Sequence, residues 1–185
     1  MPNRVKKMLI MVILTVISTS LSAQRIALTS NLLEDAILTP NVGVDIALAD
    51  KQSLSFDISY SPWKLSQQFY NKSMTFRAGY KYWFNQAFYA HHLTFDAIAT
   101  STDSGVGKYQ FKYEYAGIGI GYGYSFIIGK RLNIVPNIGI GVVYGSSYEG
   151  NDHMTDEGVG VEATTKKGFS PFITRLGITI QYILN

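Results

Sequence analysis

Ser53-Leu54-Ser55-Phe56-Asp57-Ile58-Ser59-Tyr60-Ser61 is the stretch that decides the fold. Its apolar residues fall at every second position, the repeat of a strand whose side chains point alternately to opposite faces; a helix would scatter them around its axis. The next segment repeats the division, with Met74, Phe76, Ala78, Tyr80, Tyr82 and Phe84 alternating with Thr75, Arg77, Gly79 and Lys81. Upstream, Val42, Val44, Ile46 and Leu48 stand opposite Asn41, Gly43, Asp45 and Ala47. Downstream, Leu93, Phe95 and Ala97 stand opposite His92, Thr94 and Asp96, and Ile118, Ile120, Tyr122, Tyr124 and Phe126 oppose a row of glycines. Near the end, Leu176, Ile178, Ile180 and Tyr182 oppose Arg175, Gly177, Thr179 and Gln181.

This periodicity predicts strands over roughly 25–33, 41–49, 53–62, 73–84, 87–99, 113–128, 132–146 and 169–184. Pro136 lacks the N–H that a ladder needs, which predicts a bulge or a local break in the seventh. Short turns at Asp50 to Gln52, Asn85 to Gln86 and Gly129 to Arg131 then alternate with longer connections at 34–40, 63–72, 100–112 and 147–168. All short turns fall at one end and all long loops at the other, the layout of bacterial outer-membrane barrels.

Alternation alone also suits a soluble barrel with an apolar interior, such as a periplasmic lipocalin-like binding barrel, so the faces must be assigned. Tyr60, Tyr82, Phe84, Tyr89, Phe126, Tyr144 and Tyr182 sit near strand ends on the apolar face, where interfacial girdles of a lipid-facing band belong. The opposite face is expected to carry Asp45, Asp57, Arg77, Lys81, Asp96, Glu114 and Arg175, a polar network of four acids and three bases able to pair inside a narrow lumen. The predicted fold is therefore all-β: an eight-stranded antiparallel up-and-down transmembrane β-barrel.

Residues 1–23 have the layout of a signal peptide: Arg4, Lys6 and Lys7, then the apolar run Met8 to Ile17, then small polar residues up to Ala23. Cleavage after Ala23 would leave a single barrel domain, 24–185. That run is too short to cross a bilayer as a helix, and no later stretch approaches the roughly 20 apolar residues required, so spanning falls to strands. Removing the leader takes 3 of the 16 basic residues and leaves 13 against 13 acids, a formally neutral chain without the basic face that nucleic acid requires. With no cysteine there is no disulfide, thiolate metal site or lipidated N-terminal Cys.

Other residues tie the chain to a known group. Ser30-Asn31-Leu32-Leu33-Glu34-Asp35-Ala36, Thr39-Pro40-Asn41-Val42-Gly43-Val44-Asp45, Ser61-Pro62-Trp63, Tyr82-Trp83 and Gly121-Tyr122-Gly123-Tyr124 resemble a family of uncharacterised outer-membrane barrels common in Bacteroidota, a domain of unknown function. Ser30 stands where the family pattern has Thr, and Asp45 where it has Glu. Some members are similar to proteins encoded beside fimbrial genes, which implies surface-assembly work; the resemblance brings no catalytic residues. The final strand, through Arg175, Gly177, Ile180 and Tyr182, also resembles the C-terminal signal read by the barrel-assembly machinery.

Each possible site has a plainer reading. Gly117, Gly119, Gly121 and Gly123 keep a period of two with no phosphate-binding G-x-G-x-x-G, so they are expected to make room for large lumenal side chains such as Trp83 and Tyr115. Adjacent on a strand, His91 and His92 point to opposite faces and cannot grip one metal; His91 is expected at the interface, and His92 in the lumen bonded to a neighbour such as Asp96. In 147–168, Glu149, Asp152, Asp156, Glu157 and Glu162 lack EF-hand spacing, so a solvated loop is expected over a calcium site. His153 is the one histidine in a long loop and no His-x-Ser lies near it, so a lipid A-modifying enzyme is the alternative to a non-enzymatic barrel. Eight strands with a charged interior leave little room for a pore. The function expected is display of loops at the outer membrane toward a surface or fimbrial protein, with outer-membrane lipid and the assembly machinery as the other partners and no cofactor.

Overall fold

The computed structural model describes residues 25–64, 69–107, 109–155 and 158–184; the signal peptide and its cleavage site lie outside them. Eight strands, β1 (Ile26–Asn31), β2 (Asn41–Ala49), β3 (Gln52–Lys64), β4 (Phe69–Trp83), β5 (Ala90–Val106), β6 (Tyr109–Ile127), β7 (Leu132–Thr155) and β8 (Gly158–Ile183), pair in sequence order. All pairings are antiparallel, and β8 closes on β1 through Ala27↔Ile183 to Asn31↔Thr179. This is the up-and-down barrel that the alternation predicts.

Thr29 pairs with Gly43, and the row continues through Asp57, Arg77, Ile98, Gly117 and Val143 to Ser170 on β8, yet Thr29 also pairs with Gln181. Ser170 and Gln181 are eleven residues apart, one of them a bulge residue, so the stagger around the ring is ten residues. For eight strands such a stagger requires a tilt of about 40°.

Burial distinguishes the two faces. Ser53, Ser55, Ser59 and Ser61 of β3 are buried, whereas Phe56 and Tyr60 between them are exposed. Every strand follows this rule: Ile118 is 72% exposed, Ile140 63% and Phe169 80%, while Asp45, His92, Thr94, Asn133 and Gln181 are each 1%. The seven aromatics expected to form girdles are all exposed. From Met74 on β4 to Phe84 just past its end, the outward side is uncharged. Ten steps of about 3.3 Å, tilted by about 40°, make this belt roughly 25 Å tall.

Three expectations change. A short helix, α1 (Leu32–Ala36), begins inside the expected first strand, which ends at Asn31, and runs into the connection 34–40. Asn31 caps it by accepting from the Leu33 N–H, Glu34 and Asp35 lie in its first turn, and the chain leaves through Leu38 at φ 58° and then Pro40. The other long connections are largely strand, because β4 to β8 continue as paired hairpins past the belt; the expected loop 147–168 is the upper part of the β7–β8 hairpin. Side chains of 149–164, which include those weighed for calcium and catalysis, lie outside the described residues. Finally, the turn after β4 is longer than Asn85 to Gln86: β5 starts at Ala90, and Phe88 and Ala90 adopt φ 69° and 59° so that Ala87 and Phe88 fold into the barrel end.

Pro136 stays in register with Ile178 on β8, but toward β6 the ladder breaks between Gly123↔Asn137 and Phe126↔Ile134. That is the interruption its missing N–H predicts. An unforeseen bulge lies opposite: β7–β8 pairing passes from Gly139↔Arg175 to Ile140↔Ile173, and the extra residue, Thr174, points inward beside Arg175.

Candidate functional site

The interior is a stack of side chains that alternation can orient but not pair. Down the inner side of β4 come Arg77, Gly79, Lys81 and Trp83. Trp83 closes the short-turn end with Phe88, Ala27, Ala47 and Ala87. Its indole N–H donates to Ser53 Oγ (2.9 Å), its ring meets the edge of Phe88 (5.9 Å), and the Phe88 carbonyl accepts from Ser125 Oγ (2.9 Å) and Asn133 Nδ2 (2.8 Å). Above this plug Lys81 Nζ donates to both Asp45 oxygens (3.0 and 2.8 Å), and Asp45 Oδ2 also accepts from Gln181 Nε2 (2.7 Å).

Arg175 comes next and serves two acids: Nη2 meets Asp96 Oδ1 at 2.9 Å and Asp57 Oδ2 at 3.1 Å, and Nε meets Asp96 Oδ2 at 3.3 Å. The bulge slips the β8 register by one residue, so that Thr174 and Arg175 both face the interior and Arg175 meets Asp96. Nearest α1, Arg77 Nη2 meets Glu34 Oε1 at 2.7 Å, and Arg77 Nε donates to the Thr174 carbonyl at 3.1 Å. Ser59 Oγ donates to the other Glu34 oxygen.

Six of the seven expected network residues therefore lie inside: Asp45, Asp57, Arg77, Lys81, Asp96 and Arg175. Glu114 does not. It is exposed on the outer face, because it shares parity with Ala116 and Ile118, and its register partner is outward Ser101. Glu34 from α1 takes the place of the fourth acid. A glutamate in a connection has no strand parity to reveal it, so the motif around it was its one sequence signal.

That motif is now intelligible. Ser30 Oγ donates to Asp35 Oδ2 (2.7 Å), Asn41 Nδ2 to Asp35 Oδ1 (3.0 Å), and the Asn31 N–H to Asn41 Oδ1 (2.6 Å). Asn31 Nδ2 reaches across to the Leu176 carbonyl (3.0 Å), tying α1 to β8. Ser61 and Trp63 both donate to the Leu38 carbonyl, holding the left-handed turn behind the helix. Leu32, Leu33, Ile37 and Leu38 are exposed, so α1 turns apolar residues outward while Glu34 reaches in.

His91 and His92 do face opposite sides, but His92 packs at a tilt against Trp83 (4.2 Å), while Asp96, its expected partner, is engaged by Arg175. His91 is exposed and shares a hydrogen bond with the Tyr122 hydroxyl. The glycines make room for other neighbours than Trp83 and Tyr115: a Cβ on Gly123 would meet the His92 ring, one on Gly119 Thr174, and one on Gly117 Val143. Tyr115 is accommodated by Gly145 instead. Among the described residues no group of three or more histidines and carboxylates is placed to hold a metal ion, and no helix is long and apolar enough to cross a membrane.

No curated protein and no solved structure matches this chain. Residues 9–184, nearly its whole length, match the family described as "Protein of unknown function (DUF3575)". With its motifs accounted for by one capped, ion-filled eight-stranded barrel, the chain belongs to this family, DUF3575.

Proposed function

We propose that this protein is an exported outer-membrane β-barrel with a structural and interaction role, presenting its long-hairpin end to a surface or fimbrial protein partner during envelope assembly. The observation that carries the reading is the inversion of polarity: an uncharged belt roughly 25 Å tall faces outward while three bases and four acids pair inside. A soluble lipocalin-like barrel keeps its apolar side chains in the lumen, and exposing so continuous an apolar surface to water invites aggregation. The leader at 1–23, the C-terminal pattern through Tyr182, and the resemblance to outer-membrane barrels of Bacteroidota point the same way. The paired interior supports a rigid support for loops over a conduit or a catalytic centre.

Fractionation with heat-modifiable gel migration tests the location: the processed protein should sediment with outer membranes and migrate differently before and after boiling. Recovery as a stable, detergent-free periplasmic protein would refute it. For the partner, surface proteins captured by the wild type and by a variant lacking 147–168 should differ; identical sets would remove that hairpin from the interaction.

A further inference from the structure

Past the belt the wall continues without two of its strands. β1 ends at Asn31 and β2 begins at Asn41, opposite Ser59, so only β3 to β8 rise further, and their inner face is open on the β1–β2 side. One register row across that face is Trp63, Asn71, Ser104 and Phe111, from β3 to β6. The face is concave, because the Tyr115 ring of β6 meets Phe172 of β8, two strands away, at 6.0 Å. Tyr109 stacks on Phe111 (6.5 Å) and Tyr113 on Tyr115 (5.3 Å). The inner side of β6 is thus a run of four rings along six residue steps, about 20 Å of strand.

These rings point away from the apolar belt, yet Trp63 is 44% exposed, Phe111 41% and Tyr109 56%. They lie above the sealed plug and the paired charges, on a surface that water reaches. Between Trp63 and the β6 rings the floor is amide and hydroxyl: Ser104 Oγ donates to Asn71 Oδ1 (3.0 Å), and the Thr75 and Thr100 hydroxyls share a hydrogen bond (2.8 Å). The inner charges stop lower down, at Arg77 and Glu34. Above Arg77 the inner side of β3 to β6 carries no formal charge among the described residues, whereas the outer side of the same strands holds Lys72, Asp103 and Lys112 in register as a charged rim. Charge therefore selects a neutral occupant, since an acidic or basic one would find no counter-charge on this face. A saccharide matches both surfaces at once: each sugar ring has an apolar C–H side for an aromatic ring and a rim of hydroxyls for amide and hydroxyl partners. An extended peptide would instead pair its backbone with a sheet edge, and this is a sheet face.

We propose that the inner face between Trp63 and the β6 rings binds a neutral oligosaccharide, with sugar rings packed along Phe111, Tyr113 and Tyr115 and hydroxyls bonded to Asn71 and Ser104. The site does not depend on the surrounding solvent, because these side chains face inward in lipid or in water. Trp63 and Trp83 are the two tryptophans and Trp83 is fully buried, so tryptophan emission of the refolded full chain reports on Trp63. In lauryldimethylamine oxide micelles, which carry no sugar head group, emission is titrated with maltohexaose, cellohexaose, mannohexaose and chitohexaose, and with hexagalacturonate as the acidic counterpart. At least one neutral chain should give a saturable shift and bind about tenfold or more tightly than hexagalacturonate. Phe111→Leu, which keeps apolar bulk without a ring, and Asn71→Ala should each weaken that binding by about tenfold, each variant first verified by heat-modifiable migration. Phe126→Ala, on the outer side of the same strand, should leave it unchanged. No saturable shift with any neutral chain, equal or tighter binding of hexagalacturonate, or a Phe111→Leu variant that binds like wild type would overturn the site.

Discussion

The Glu34 carboxylate, carried by a five-residue helix, meets the Arg77 guanidinium of β4 at 2.7 Å inside the barrel, with both side chains largely shielded from solvent. A residue from a connection thus supplies the carboxylate that Arg77 meets. It also couples α1 to β3 through Ser59 and, through Arg77, to the Thr174 bulge.

Removing one member of that pair should cost more than removing both. Glu34→Ala leaves the guanidinium shielded without its carboxylate, an expected loss of about 2 kcal/mol, whereas Glu34→Ala with Arg77→Met should recover at least half of it. Urea unfolding of the refolded barrel in micelles measures both. Strictly additive losses would mean the two residues act independently.

Two glycines of one row should respond differently. A Cβ at Gly117 would lie 2.6 Å from the Val143 Cα, which is backbone and cannot turn aside, while at Gly121 the nearest atom is a carbonyl oxygen at 3.0 Å. Gly117→Ala is expected to destabilise by about 2–3 kcal/mol and Gly121→Ala by less than about 1 kcal/mol. Comparable unfolding midpoints for the two variants would contradict this packing.

The outward belt makes a sharper prediction, because it separates lipid from water. Ile118→Lys, at the most exposed isoleucine of β6, should cost about 2–4 kcal/mol in lipid vesicles, whereas Ser101→Lys at the charged rim should cost about 0–1 kcal/mol. In an aqueous barrel neither change would matter. Unfolding titrations in vesicles therefore report the depth of each position.

Trp63→Phe keeps an aromatic ring but loses the N–H donated to the Leu38 carbonyl. A net cost near 1 kcal/mol is expected, concentrated in the segment it anchors. Amide exchange at Leu38 and Thr39, whose N–H groups bond to Asp35 and Glu34, should quicken while that of Phe95 on β5 stays unchanged. Uniform acceleration would point to global destabilisation instead.

Much of this molecule can be read from its chain, for a simple physical reason. A strand's side chains alternate, so Ser53 to Ser61 alone says which residues share a face, and the same parity assigns Asp45, Asp57, Arg77, Lys81, Asp96 and Arg175 to the interior. Read consistently, parity also puts Glu114 outside, with Ile118. Orientation is local; partnership is not. Arg175 meets Asp57 from 118 positions away and Asp96 from 79, distances closed only when the tilted ring brings β8 round to β1. Glu34 lies in a connection where no period applies, and Thr174 marks a bulge, where the period slips by one. The sequence by itself determined the strands, their faces and the order of the ring, because these follow from a repeat of two residues. Tertiary structure alone decided which charge meets which, which glycine clears which side chain, and that a carboxylate from a connecting helix reaches into the lumen, because each depends on the stagger at which the ends of the sheet join.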